Sequence, residues 1–279
     1  MILDGRIVAK RTLQNLKQQI AGFPRPPGLV VIRVGDDPAS QIYVRRKTQR
    51  AERLGLHHRA IILPEDTTQQ QLNETIKQMN EDDLIDGILV QLPLPKHLNE
   101  TEVLQLIDPQ KDVDGFHAIN SGLLSQGRPH LVPCTPKGVM RLINESNIEL
   151  SGKEAVVVGR SNIVGRPIAQ LLEQANCTVT VCHSRTWSLL EHVSRADIVV
   201  AAVGRPNLLK GSWFKRGCVI IDVGINRLED GSICGDVEYE YAKLVAKAIT
   251  PVPGGVGPMT IAMLMENTVM AYRQRVLHT

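Results

Sequence analysis

Tyr43 and Lys47 stand four residues apart in the run YVRRK. On a helix that spacing puts both on one face. A phenol and an amine presented together can hold a planar substrate and move a proton. A lysine of ordinary pKa is protonated at neutral pH, so a basic role needs burial or a neighbouring positive charge. The same run also describes a solvated basic helix, with Arg45, Arg46 and Arg50 close in sequence and Tyr43 half-buried. Gln91 follows the apolar run DGILV. At the carboxyl end of a strand in an open α/β sheet it faces the ligand crevice. Its amide needs a partner there, and a satisfied strand-end amide is the plainer alternative. Pro93 and Pro95 form a stiff wall after it. In KDVDGFH, Asp112 and Asp114 are two apart. A calcium loop needs more oxygen ligands at fixed spacing, and His117 has no zinc-type partner spacing. One aspartate is therefore expected to accept N–H groups from a substrate and the other to cap the turn; no metal is expected.

A second group lies in KEAVVVGRSNIVGRPIAQLLEQA, residues 153–175. Ala155 to Val158 is an apolar run that ends at Gly159. Beyond Arg166 and Pro167, Ile168, Leu171, Leu172 and Ala175 recur at helical spacing. That pattern predicts strand, glycine turn and helix. Gly159 and Gly165 do not have the G-x-G-x-x-G spacing, but the physics is shared. A tight turn favours a residue without Cβ, and the helix start offers N–H groups to a pyrophosphate. Ser161 and Asn162 supply side-chain donors beside it. An ordinary βα turn is the plainer alternative. The NAD pattern puts a carboxylate about 20 residues past the turn, for the ribose 2′-OH. Here the strand over 177–182 ends in His183, Ser184, Arg185 and Thr186. With Arg160 able to reach the same region, this basic, hydroxylated cluster suits a 2′-phosphate, so NADP is expected.

The positioning elements follow from pattern. Asp4 caps a first helix containing Ile7, Val8, Leu13, Leu16 and Ile20, which ends at FPRPPG. Strands are predicted at 29–34, 56–63 and 85–92, with helices from Pro38 to Leu54 closed by Gly55, from Thr67 or Thr68 to Met79, and after Asn99 with Glu102 at capping-box spacing. Residues 108–135, rich in Gly, Pro and polar residues, read as a functional loop or linker. A short helix follows Pro136. Strands return at 155–158, 177–182, 197–202 and 218–223, and Pro258 opens a last helix with Ile261, Leu264, Met265 and Val269. Alternating strands and helices predict two α/β lobes.

The chain has 279 residues, enough for two domains, and a net charge of only +3. That balance, with a basic helix lacking interleaved aromatics, gives no support to nucleic-acid binding. Five cysteines without a C-x-x-C pair, and no export signal, read as free thiols in a reducing compartment, hence a cytoplasmic protein. No apolar run is long enough for a membrane span.

Together YVRRK, DGILVQLPLP (86–95), KDVDGFH (111–117), GRSNIVGRP (159–167) and TPVPGGVGPMT (250–260) resemble the bifunctional methylenetetrahydrofolate dehydrogenase/methenyltetrahydrofolate cyclohydrolase family. The resemblance spans nearly the whole chain. It implies an α/β folate-binding catalytic domain over 1–120, completed by 256–279, and a Rossmann-like NADP-binding domain over 121–255. It implies that Lys47 is the cyclohydrolase lysine, that Tyr43 stacks on the folate, that Gln91 partners the lysine and that Asp114 grips the pterin. Ser40 lines that pocket, and Pro253, Gly254 and Gly255 close over the folate. Gly159, Arg160, Ser161, Ile163 and Gly165 form the dinucleotide turn, and Ser184, Arg185 and Ile225 complete the cofactor set. A homodimer through the cofactor lobe is implied as well. Two alternatives stand beside this reading: a nucleotide-sensing or assembly protein on the same scaffold, and a dehydrogenase for another small substrate.

Overall fold

The computed structural model describes residues 1–277, apart from the side chain of Ala39. The chain divides into two compact units. The first comprises Arg11–Cys134 with Met263–Thr279, and the second Met1–Lys10 with Thr135–Ala262. Both divisions of the short ends fall inside helices, α1 (Gly5–Ile20) and the last helix (Val256–Tyr272).

The first unit is built on a three-stranded parallel sheet of β1 (Gly28–Val34), β2 (His57–Leu63) and β3 (Gly87–Val90), with β1 in the middle. All seven residues of β1 are buried, as a strand covered on both faces requires. The crossover helix α2 (Pro38–Leu54) starts where sequence predicts. Asp37 accepts from the Ser40 N–H, Pro38 occupies the first turn, and Gly55 ends the helix in the left-handed region at φ 79°. Thr68, rather than Thr67, caps α3 (Gln69–Glu81) in a full capping box with Gln71. The box expected at Asn99 is half formed. Asn99 Oδ1 accepts from Glu102 N at the start of α4 (Glu100–Leu106), but the Glu102 carboxylate is taken by Asn73 and the Asn99 N–H by Gln69.

β3 is four residues long, not the expected eight. Ile85 N turns back to Asp82 O, and the buried Asp86 carboxylate is occupied by Arg25, Arg275 and the Gly28 N–H. Beyond Gln91 the chain reaches Pro93, which has no N–H for a ladder; the Leu92–Pro93 and Val252–Pro253 bonds are cis. Residues 108–135 are not an open linker. They carry α5 (Ala118–Ser125), capped by His117 Nδ1, and α6 (Cys134–Glu145) begins before Pro136 rather than after it.

The units therefore meet in sequence at 134/135, where 120/121 was expected. The reason is packing. Asn120 Nδ2 donates to Pro109 O and Asp112, and Asn267 Nδ2 donates to Val132 O, so 121–134 belongs with the first unit. The first residues differ too. Met1–Leu3 run beside Ala248–Ile249, with Leu3 N donating to Ile249 O and Ile249 N to Met1 O, which makes them part of the second unit. From Met263 onward the last helix packs within the first unit. Tyr272 stacks on Phe23 at 4.9 Å, and Arg275 Nη1 meets Asp86 at 2.9 Å.

The second unit holds a five-stranded parallel sheet. Its strands are β4 (Glu154–Val158), β5 (Thr178–Cys182), β6 (Ile198–Ala201), β7 (Val219–Asp222) and β10 (Ala248–Ile249), in the order β10-β7-β6-β4-β5. Helices α7 (Gly165–Gln174), α8 (Leu189–Arg195) and α9 (Tyr239–Val245) and the small hairpin of β8 (Asn226–Arg227) and β9 (Ile233–Cys234) complete it. Chain order reverses between β4 and β6, and the carboxyl ends of strands at such a switch point form a ligand crevice. Among the described residues no helix is long and apolar enough to cross a membrane.

Candidate active site

Three of the predicted residues of the first unit come together. Lys47 Nζ donates to Gln91 Oε1 at 2.9 Å, and Gln91 Nε2 donates to Leu92 O at 2.6 Å. The second bond fixes the amide so that its oxygen, not its nitrogen, faces the amine. Lys47 is 9% exposed, and burial lowers its pKa against the opposing charges of Asp114 and Cys134. Burial, not a neighbouring cation, is thus what moves this amine toward its neutral form.

Asp114 sits beside it. Burial pushes its carboxyl up to about 6, opposed by the Lys47 charge, reinforced by Asp112 and opposed again by a hydrogen bond from Cys134. The division of labour between the two aspartates is clear. Asp112 is buried and committed to its own turn, accepting from Gly115 N, His117 N and Asn120 Nδ2. Asp114 makes no such closure. Tyr43 lies one turn before Lys47 on α2 and is 37% exposed, while Ser40 on the same helix is buried. The arrangement can exchange a proton through Lys47 and accept N–H groups at Asp114, with the phenol of Tyr43 nearby. Among the described residues no cluster of three His, Cys, Asp or Glu side chains is placed to hold a metal.

Two contributors escape a reading by motif. Cys134 Sγ lies 3.1 Å from Val113 O and bonds Asp114. Asn267, wholly buried in the last helix, donates to Val113 O at 2.9 Å and Val132 O at 2.8 Å. It thereby clamps the backbone on which Asp114 stands. The available signal was a polar run, Glu266–Asn267–Thr268, inside a mostly apolar helix.

The second unit holds the remaining predicted residues. Gly159 has φ 126°, and a Cβ there would lie 2.1 Å from Ala202 O; a Cβ on Gly165 would lie 2.2 Å from Gly159 O. Both glycines are required by close backbone approach. Ser161 does not stand free as a donor. Its Oγ accepts from Val164 N and Gly165 N at 3.2 and 3.3 Å, so part of the helix start is already capped. Its hydroxyl proton is still available. Asn162 and Ile163 are exposed. Val158 pairs with Cys182, so Arg160 and Arg185 leave adjacent strands at the same sheet end. Both are exposed and neither makes an ion pair among the described residues. Ser184 is exposed in the turn closed by His183 N donating to Thr186 Oγ1, and Ile225, also exposed, follows β7. This site suits a dinucleotide carrying an extra phosphate: a tight turn whose two glycines let the backbone segments around it pack closely, and two guanidinium groups without an ion pair among the described residues.

Pro253–Gly255 belong to the same unit. Gly254 has φ 112°, and Gly255 N donates to Pro251 O at 2.8 Å. A Cβ on Gly5 would lie 1.7 Å from Gly255 O, so the N-terminal arm packs directly on this loop.

Family models decide which family the chain belongs to. The tetrahydrofolate dehydrogenase/cyclohydrolase catalytic-domain model matches residues 3–114, and the NAD(P)-binding-domain model of the same family matches residues 133–276. The chain belongs to the tetrahydrofolate dehydrogenase/cyclohydrolase family. The bifunctional protein FolD of Acetivibrio thermocellus is 56% identical over 273 residues, 97% of this chain and 96% of that protein. The crystal structure of the bifunctional enzyme FolD, methylenetetrahydrofolate dehydrogenase/cyclohydrolase, from Campylobacter jejuni superposes with TM-score 0.96 at 46% identity, covering 99% of each chain. The Trypanosoma brucei enzyme, solved in complex with NADP cofactor and an inhibitor, gives TM-score 0.94 at 39% identity over 99% of this chain and 98% of that one. The family's two-domain α/β fold is the one described above, catalytic domain first and Rossmann-like domain second.

Proposed function

We propose that this chain oxidises 5,10-methylenetetrahydrofolate to 5,10-methenyltetrahydrofolate with NADP and hydrolyses that product to 10-formyltetrahydrofolate. The observation that carries the reading is the buried Lys47, bonded to Gln91 and beside Asp114, in a chain matched by both domain models of the family.

The carbon that loses hydride is flanked by two nitrogens whose lone pairs stabilise the resulting cation, so this step needs alignment more than a strong base. NADP, when bound, supplies the hydride acceptor. Gly159 and Gly165 allow the tight turn that would present the helix start to its pyrophosphate, and Arg160, Ser184 and Arg185 would hold the 2′-phosphate, with Ser161, Ile163 and Ile225 lining the site. Hydrolysis adds water to the cationic carbon. One proton leaves that water, and the ring nitrogen that departs takes up another. Lys47 is assigned this proton transfer, held in direction by Gln91. The substrate's positive charge drives the amine further toward neutrality. Asp114 accepts N–H groups of the pterin, and Tyr43 and Ser40 contact the folate. Pro253, Gly254 and Gly255 are assigned folate contact by family likeness.

Asp114 sets a pH limb. With its carboxyl near 6, the acceptor form is lost as pH falls through that value, so the KM for folate should rise on the acid side. In Asp114→Asn that limb should vanish; the same limb in both proteins would exclude Asp114 as the grip. The stability linkage has the opposite sense. A carboxyl raised above 3.8 contributes stability fully below 3.8 and loses it as pH rises through about 6.

A homodimer through the cofactor domain belongs to the same proposal. β5 is the outer strand of its sheet, and around it Val181 and Leu190 are exposed and Trp187 is 90% exposed. Sedimentation should give twice the chain mass, and Val181→Lys should shift it to monomer; a native monomer at all concentrations contradicts this. The five free thiols support a reducing, cytoplasmic setting. The enzyme reading itself is tested spectrophotometrically with methylenetetrahydrofolate and NADP, and absence of cofactor reduction would overturn it.

A further inference from the structure

Two buried carboxylates of the second unit, Asp222 and Asp236, take no part in the chemistry above. Asp222 closes β7, and Asp236 follows β9. Asp236 Oδ2 accepts from Val203 N at 2.7 Å and Gly204 N at 3.0 Å, and its Oδ1 from Arg205 N and Asn226 Nδ2, both at 2.9 Å. Asp222 Oδ1 accepts from Gly224 N and Asp236 N at 3.0 Å, and its Oδ2 from Val237 N at 2.9 Å. No side chain fits between them. A Cβ on Gly224 would lie 2.3 Å from Asp236 Oδ1, and one on Gly235 1.9 Å from Asp222 Oδ2.

No Lys or Arg pairs with either carboxylate among the described residues. Burying two such groups without a cation is a poor way to stabilise a fold, and burial lifts Asp222 to about 6. What they do accomplish is local. They fix Val203–Arg205 and Val223–Ile225, the loops at the carboxyl ends of β6 and β7. The first begins beside the β4/β6 switch point, and Ala202 O, just before it, is the atom against which Gly159 is packed. Three successive N–H groups of that loop are committed inward to Asp236. The carbonyls of Val203, Gly204 and Val223 accept no hydrogen bond among the described residues, leaving acceptors for a ligand.

We infer that Asp222 and Asp236 are positioning residues for the dinucleotide, shaping the β6 and β7 loops and, through Ala202, the Gly159 turn. This rests on the NADP reading above. Calorimetric titration of NADP into the native protein comes first; absence of binding there would overturn the reading itself. Given native binding, Asp236→Asn turns one N–H acceptor into a donor facing donors. It should raise the NADP Kd about tenfold or more. Asn226→Ala removes only one donor and should raise it a few-fold. Hydrolysis of methenyltetrahydrofolate, measured without NADP, should stay within about twofold of native in both, because the change is local and the lysine lies in the other unit. An unchanged Kd in either variant, or an equal loss of cofactor binding and hydrolysis, would overturn the inference. If Asp236→Asn does not fold, Asn226→Ala decides it.

Discussion

Replacing Lys47 by Met is expected to lower methenyltetrahydrofolate hydrolysis by about a hundred- to ten-thousand-fold, the usual contribution of a general acid–base group. Part of the dehydrogenase activity should survive. The asymmetry follows from the chemistry. Hydride departure is driven by nitrogen lone pairs, whereas hydrolysis must move protons at a carbon that offers none. Under the proposed role Lys47 also helps place the ring, and placement errors are costly, so some dehydrogenase loss is expected. Met preserves the length and apolar stem of the side chain while removing the amine. The fold should not suffer. A lysine depressed below 10.5 contributes its stability fully above 10.5 and loses it as pH falls through the folded value, so at neutral pH burying this amine opposes folding. Thermal melts at neutral pH should therefore show no loss in the variant. Both rates on one preparation, with folate binding checked separately, give the answer. Hydrolysis near the native rate would remove Lys47 from the mechanism and bring Asp114 forward.

Arg160→Ala should separate the cofactors. The exposed guanidiniums of Arg160 and Arg185 stand at the same sheet end and hold no carboxylate among the described residues. Nothing acidic follows β5 to bind a ribose hydroxyl, since the strand runs into His183, Ser184, Arg185 and Thr186. A charge-assisted bond to a phosphate is worth about 1.5–3 kcal/mol, so NADP affinity should fall about ten- to a hundred-fold. NAD, lacking that phosphate, should change little. Titration of both cofactors into native and variant protein checks this. Equal losses would mean that the 2′-phosphate lies elsewhere, and a native preference for NAD would contradict the assignment outright.

Local signals carried most of the fold. Asp37, Pro38 and Gly55 delimit α2 because capping and left-handed closure are short-range effects, and the apolar runs of β1 and β4 have no other means of burial. What escaped notice depends on distant partners. The helix Ala118–Ser125 hides in a polar, glycine-bearing stretch because His117, Asp112 and Asn120 hold it by side-chain bonds that no period reveals. The late start of β3 reflects Asp86, whose arginine partners lie 61 and 189 residues away. Residues 1–3 join the second unit through pairing with Ile249, far along the chain. At the site, Lys47 and Gln91 were readable as a helix-face amine and a strand-end amide, but their bond spans 44 residues. Local pattern leaves Asp112 and Asp114 open; the family resemblance points to Asp114, and the turn that closes on Asp112 gives the physical reason. Asn267 carries no motif; its value lies in the two carbonyls it reaches.

The central claim is that one chain performs both reactions in sequence. The most direct test is a single time course with the native protein, methylenetetrahydrofolate and NADP. Reduced cofactor, methenyl intermediate and folate product would be followed in the same sample. Reduced cofactor and 10-formyltetrahydrofolate should accumulate in equal amounts, with formyl product forming well above the spontaneous rate. Reduced cofactor accompanied by accumulating methenyltetrahydrofolate, with formyl product no faster than in buffer, would contradict it.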